Sequence, residues 1–122
     1  MRLLVKAAAV ACLALPLIAA QDAKVPDATI SDADHHKIEF QNDDVTVVRY
    51  KIAPHEKTTM HSHPRNVQVM LTDHNLKVTT PDGKTTEAHG KAGQTAWRNP
   101  GTHLVENIGE QPVEGLLIEP KK

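Results

Sequence analysis

Residues 67–89 read VQVMLTDHNLKVTTPDGKTTEAH. Short runs rich in Val, Leu and Thr are divided by DHN at 73–75 and by PDGK at 81–84. Asp82–Gly83 is the strongest turn signal in the chain, because Asp-Gly enters the positive-φ conformations that tight hairpin turns need. The stretch therefore predicts successive hairpins. Upstream, HKIEF (36–40) and VTVVRYKI (45–52) flank QNDD, which reads as two more strands and a turn. Downstream, GQTAWR (93–98), HLVENI (103–108) and VEGLLIE (113–119) are separated by NPGT and GEQP. Eight or so short strands at close spacing predict one all-β sandwich or barrel with no second domain. No segment after the first twenty residues has helical periodicity.

Those first twenty, MRLLVKAAAVACLALPLIAA, differ in kind: two cations, Arg2 and Lys6, then an apolar run without an acid. The run is shorter than the roughly 20 apolar residues of a spanning helix, so it reads as a secretory signal peptide cleaved after Ala20, with a periplasmic or secreted destination. The sole cysteine, Cys12, lies inside it. Residues 21–34 are polar and acidic without a period and read as a flexible lead-in to a domain spanning 35–122.

Loss of Arg2 and Lys6, with no acid lost alongside, moves the formal charge from −1 to −3. That balance gives no electrostatic footprint for nucleic acid or an anionic membrane. The mature chain has no cysteine for a disulfide, so the fold must rest on its core, with a metal or a second subunit as the available help. Phe40, Tyr50 and Trp97 are the only aromatic rings apart from the eight histidines, which leaves Val, Ile and Leu to build that core.

His61 and His63, in MHSHPRNVQVM (60–70), project from one face of a strand, where two imidazoles can share a cation. By themselves they are weak evidence for one, and a polar pair on a solvated face is the commoner reading. The stretch GQTAWRNPGTHLVEN (93–107) adds a third histidine, His103, behind a Pro-Gly turn.

Together the two stretches resemble the paired motifs of the cupin family, small β-barrels of jelly-roll type, over Val45 to Glu119. On that resemblance His61, His63 and His103 match three metal ligands and Gln68 falls at the position of the family's Glu, so the implied metal set is His61, His63, Gln68 and His103. Gly93, Gly101 and Asn107 match the second motif. His55 and Asn75 stand where the first motif has glycines, and both residue types enter the positive-φ region. His55 is thus expected to serve a turn, as is His74 in DHN. In the second motif Asn99 replaces a proline that has shifted to Pro100. His35 and His36 follow DAD and read first as a solvated tail, with metal scavenging the alternative, and His89 carries no assigned role.

The resemblance implies a divalent transition metal, with Zn, Fe, Ni, Cu and Mn all open to three imidazoles. With Gln for Glu the ligand set is neutral, which favours a small anionic ligand in the open positions. Arg49, Arg65 and Arg98 are the candidate cations for its carboxylate. Met70 and Val105 would share the inner face, with Glu106 pointing away. Tyr50 and Trp97 fit either a pocket wall or the core. The chain shows no Ser-His-Asp order, carboxylate pair or phosphate loop. The open functions are a metal-dependent enzyme of dioxygenase, isomerase or lyase type, a module that binds or senses a metal or small ligand, and a jelly roll that has lost its metal. Jelly-roll relatives pair through edge strands, so a homodimer is the expected assembly.

Overall fold

A computed structural model describes residues 24–122. The signal-peptide reading of residues 1–20, with Cys12, lies outside the described residues. Nine strands follow one helical turn: α1 (Ala28–Ser31), β1 (His36–Gln41), β2 (Val45–Ile52), β3 (His61–His63), β4 (Asn66–Met70), β5 (His74–Thr79), β6 (Thr85–Gly90), β7 (Thr95–Arg98), β8 (Gly101–Asn107) and β9 (Val113–Pro120). They form two sheets, β1-β2-β9-β4-β7 and β3-β8-β5-β6, whose strand pairs are all antiparallel. The all-β jelly-roll expectation holds.

The two predicted hairpins of residues 67–89 have different outcomes. β5 and β6 form one, with Thr79 opposite Thr85 and Gly83 at φ 84° in the tip. β4 and β5 do not pair. β4 lies between β9 and β7 in one sheet, whereas β5 lies between β8 and β6 in the other, so residues 71–73 carry the chain from one sheet to the other and His74 and Asn75 already belong to β5. Alternation and turn residues mark strand ends, but they do not say which sheet the next strand joins.

The inner faces are buried by alternation. In β9, Val113, Gly115, Leu117 and Glu119 are buried and the residues between them are half-buried. Val48, Tyr50, Ile52, Leu76, Val105, Val113 and Leu117 make the apolar core, with Val78 and Ala88 packed against it. Gly115 lies opposite Tyr50, and a Cβ there would overlap the hydroxyl end of the tyrosine side chain, so the glycine makes room for the one phenol ring of the core.

From Asp27 onward, the segment expected to be flexible is folded onto the barrel. Asp27 caps α1 by accepting from Thr29 N at 2.9 Å, Ser62 N donates to Pro26 O at 3.1 Å, and Ala28 is 1% exposed. Asp32, just past the turn, is buried. Polar contacts hold this strap, which is why apolar periodicity did not reveal it.

β1 contains a bulge between Ile38 and Phe40. Phe40 pairs with Val47 on the outward face of β2, whereas His36 pairs with Tyr50 on the inward face. One extra residue reverses the side to which all preceding side chains point. His36 is accordingly 4% exposed, which corrects its reading as part of a solvated tail.

Candidate metal centre

Four imidazoles converge at the inner face of β1, β3 and β8. His61 and His63 project together from β3, and His61 lies opposite His103 of β8. The ring centroid of His61 is 4.6 Å from that of His36, 4.7 Å from His63 and 4.9 Å from His103. His63 is 5.3 Å from His36 and 5.1 Å from His103. His36, His61 and His63 each offer a ring nitrogen within 4.8 Å of the others, close enough for the three to gather round one cation.

The hydrogen bonds around these rings assign their protons. His61 Nδ1 donates to Thr59 O at 2.7 Å, since a carbonyl can only accept, and Nε2 is left with its lone pair. His36 Nδ1 donates to Asp32 Oδ2 at 2.9 Å, again freeing Nε2. A carboxylate behind a ligating imidazole fixes its tautomer and raises its basicity. Asp32 is itself held by His35 Nδ1 at 2.8 Å, Thr59 N at 3.1 Å and Thr59 Oγ1 at 3.0 Å. Burial pushes the Asp32 carboxyl up, but those bonds outweigh it and hold the group below its ordinary range.

Burial and mutual repulsion keep the cluster neutral. Desolvation, with the charge of His61 added, lowers His36 to about 4. His103 falls to about 4 and His63 to about 2 for the same reasons, and burial lowers His61 as well. Neutral imidazole is the form that binds a metal, so no proton need leave these rings at neutral pH. His63 Nδ1 is buried without a hydrogen-bond partner. A buried ring without a hydrogen-bond partner at this nitrogen, among neutral imidazoles, fits a metal site, where coordination takes the place of hydrogen bonding.

Of the residues expected from sequence, His61, His63 and His103 come together. Gln68 lines the same cavity, but both ends of its amide are taken: Nε2 donates to Tyr50 Oη at 2.8 Å and Oε1 accepts from Arg98 Nε at 3.0 Å. Asp32 was missed, and His36 entered only as a tail residue able to scavenge metal. The signal available for His36 was its place in HKIEF, but correct facing required the bulge. His55 does occupy a turn, at φ 63°. His74 does not: it opens β5, buried, with Nε2 at 2.6 Å from Tyr50 Oη. Exposed His89 lies 3.1 Å from Glu87.

The cavity encloses about 320 Å³, at the small end of ligand pockets. Its other walls are mostly apolar, including Leu76, Val78, Val105 and Leu117, with Thr58, Asn66, Thr86 and Asn99 among them. Met70 is buried on the same strand face as Gln68 but packs against Gly90, away from this wall. Of the three candidate arginines, only Arg98 lines the cavity. Arg49 pairs with Glu39 at 2.6 Å and Glu114 at 3.0 Å, and Arg65 is exposed elsewhere. Tyr50 belongs both to the core and to the wall, whereas Trp97 is 55% exposed and belongs to neither.

A search of solved structures finds a cupin domain from Bordetella pertussis Tohama I, 26% identical, with a TM-score of 0.66, covering 71% of this chain and 92% of that one. A conserved protein with a double-stranded β-helix domain from Klebsiella pneumoniae is 22% identical over 68% of this chain and 72% of that one, at a TM-score of 0.54. An RmlC-like cupin family protein with the same fold from Methanocaldococcus jannaschii is 11% identical over 70% and 77%, also at 0.54. The second and third likenesses show the fold alone. The sequence matches no protein-family model and no curated protein. The three-imidazole group and the shared fold fit a metal-binding cupin.

Proposed function

We propose that this chain, a cupin by its fold, uses His36, His61 and His63, with His103 beside them, to hold a divalent transition metal that receives a small anionic ligand in the cavity. The observation that carries this reading is the closeness of the three ring nitrogens, within 4.8 Å, together with tautomers that leave Nε2 of His36 and His61 unprotonated. When bound, the ion supplies a Lewis acid with open positions in a small, largely apolar cavity. The protein's own part is to keep four imidazoles neutral and to aim them. Asp32 adds negative charge behind His36, offsetting part of the charge that an all-neutral ligand set leaves on a dication. Export through the leader, to the periplasm or the medium, and pairing of two copies through edge strands belong to the same proposal.

Binding without turnover is the second reading, and one observation favours it. Among the described residues no Asp or Glu lines the cavity. Burial pushes the Tyr50 hydroxyl up to about 12, and it is held by His74 and Gln68. The walls thus offer no carboxylate for acid–base work, and a scavenging or sensing module needs none.

Elemental analysis of the full chain, purified without an affinity tag, is expected to find close to one transition metal per chain. His36→Ala and His61→Ala are each expected to lose it. Unchanged metal content in both variants would refute the assignment.

A further inference from the structure

Arg98 stands at the end of a hydrogen-bonded chain that begins in the core. Thr72 O can only accept, so His74 Nδ1, 2.8 Å away, carries the proton. Burial keeps His74 neutral, and its Nε2 therefore accepts a hydrogen bond from the Tyr50 hydroxyl at 2.6 Å. The tyrosine oxygen, its proton committed, accepts from Gln68 Nε2 at 2.8 Å. That bond turns Gln68 Oε1 toward Arg98 Nε, at 3.0 Å. Each link dictates the direction of the next, so the guanidinium is aimed by Thr72, His74, Tyr50 and Gln68 in sequence.

The residue type at position 68 decides what this does. A glutamate would pair with Arg98 and cancel its charge, whereas the amide holds Nε and leaves the positive charge uncompensated. Among the described residues Arg98 makes no ion pair, and no carboxylate lines the cavity it faces. Opposite stand neutral imidazoles, and Leu76, Val78 and Val105 give the rest of the space an apolar character. Arg98 is exposed, so its guanidinium is held at the mouth of a small, largely apolar cavity, an arrangement complementary to a planar anion carrying a short hydrocarbon body.

We infer that Arg98 is the anion-recognising group of this cavity, that Gln68 is its positioning residue, and that the ligand is a small monocarboxylate with an apolar body. The inference rests on the cavity being the ligand site of the proposed function, but it does not require the metal.

The test is calorimetric titration of the full chain, before and after chelator treatment, with butyrate and with its neutral counterpart butyramide. Butyrate is expected to bind about tenfold or more tightly than butyramide, the scale of a charge-assisted hydrogen bond. Arg98→Met and Gln68→Glu are each expected to lose that preference while butyramide binding stays as it is, and Arg98→Lys is expected to recover part of it. A structural role for Gln68 would weaken both probes together, and thermal melting of each variant separates misfolding from lost recognition. Equal affinity for the two probes, no butyrate binding up to millimolar concentration, or full butyrate affinity in Arg98→Met overturns the inference. If Arg98→Met binds butyrate fully while His61→Ala loses metal, this inference fails and the metal reading stands. If the chain holds no metal but prefers butyrate through Arg98, the reverse is true.

Discussion

Asp32→Asn removes one charge and almost no volume, so it isolates what the carboxylate does for His36. Oδ1 accepts three bonds, from His35 Nδ1, Thr59 N and Thr59 Oγ1, whereas Oδ2 accepts one, from His36 Nδ1 at 2.9 Å. Asparagine has a single acceptor oxygen. Keeping that oxygen where three donors converge places its NH2 against His36 Nδ1, donor facing donor. His36 then relieves the conflict by moving its proton to Nε2, the nitrogen that the metal needs. The lost charge-assisted bond is worth about 1.5–3 kcal/mol, which corresponds to about ten- to hundredfold weaker metal binding. The assay is competition for zinc between the folded protein and a chromogenic chelator. His35→Gln, which removes a different Asp32 bond, serves as the control and is expected to leave zinc affinity unchanged. An unchanged affinity in Asp32→Asn would refute the reasoning and leave Asp32 as a fastener of the strap alone.

Stability without metal should fall in acid. His36 and His103 have folded-state values of about 4 against an ordinary 6.5, so the unfolded chain takes up protons first. Their stabilising contribution is whole above 6.5 and is lost as pH falls toward about 4, up to about 3 kcal/mol for each ring. Urea unfolding of the chelator-treated protein at neutral and acid pH measures this, and an acid loss no smaller in His103→Gln than in the parent chain would count against it. Gly115→Ala drives a methyl into the Tyr50 ring, which His74 and Gln68 hold in place. The expected cost is about 2 kcal/mol or more, visible as a lower Tm, and an unchanged Tm would mean that the ring has room to move.

The amino-acid sequence determined what depends on local chemistry. Apolar runs cut by Asn-Asp, Asp-Gly and Pro-Gly set the strands and most of their ends, because side-chain alternation and turn preference act over a few residues. His61 and His63 share a face for the same reason, and the spacing to His103 completed the resemblance that carried the jelly roll. His55, too, was legible as a turn residue, since few residue types accept its positive φ. Other features depend on what lies across the barrel. That β4 and β5 enter different sheets follows from strand pairings distant in sequence. Sequence spacing likewise did not show Gln68 linked to both Tyr50 and Arg98, which come from separate strands. His36 is the clearest case. By unbroken alternation it would share the outward side of Phe40, but the bulge in β1 turns it inward, and the strap behind it brings Asp32 to its Nδ1. Composition at 32–36 is polar and carries no period, so only the tertiary structure, by adding one residue to a strand and burying a carboxylate beside it, made a fourth imidazole part of the site.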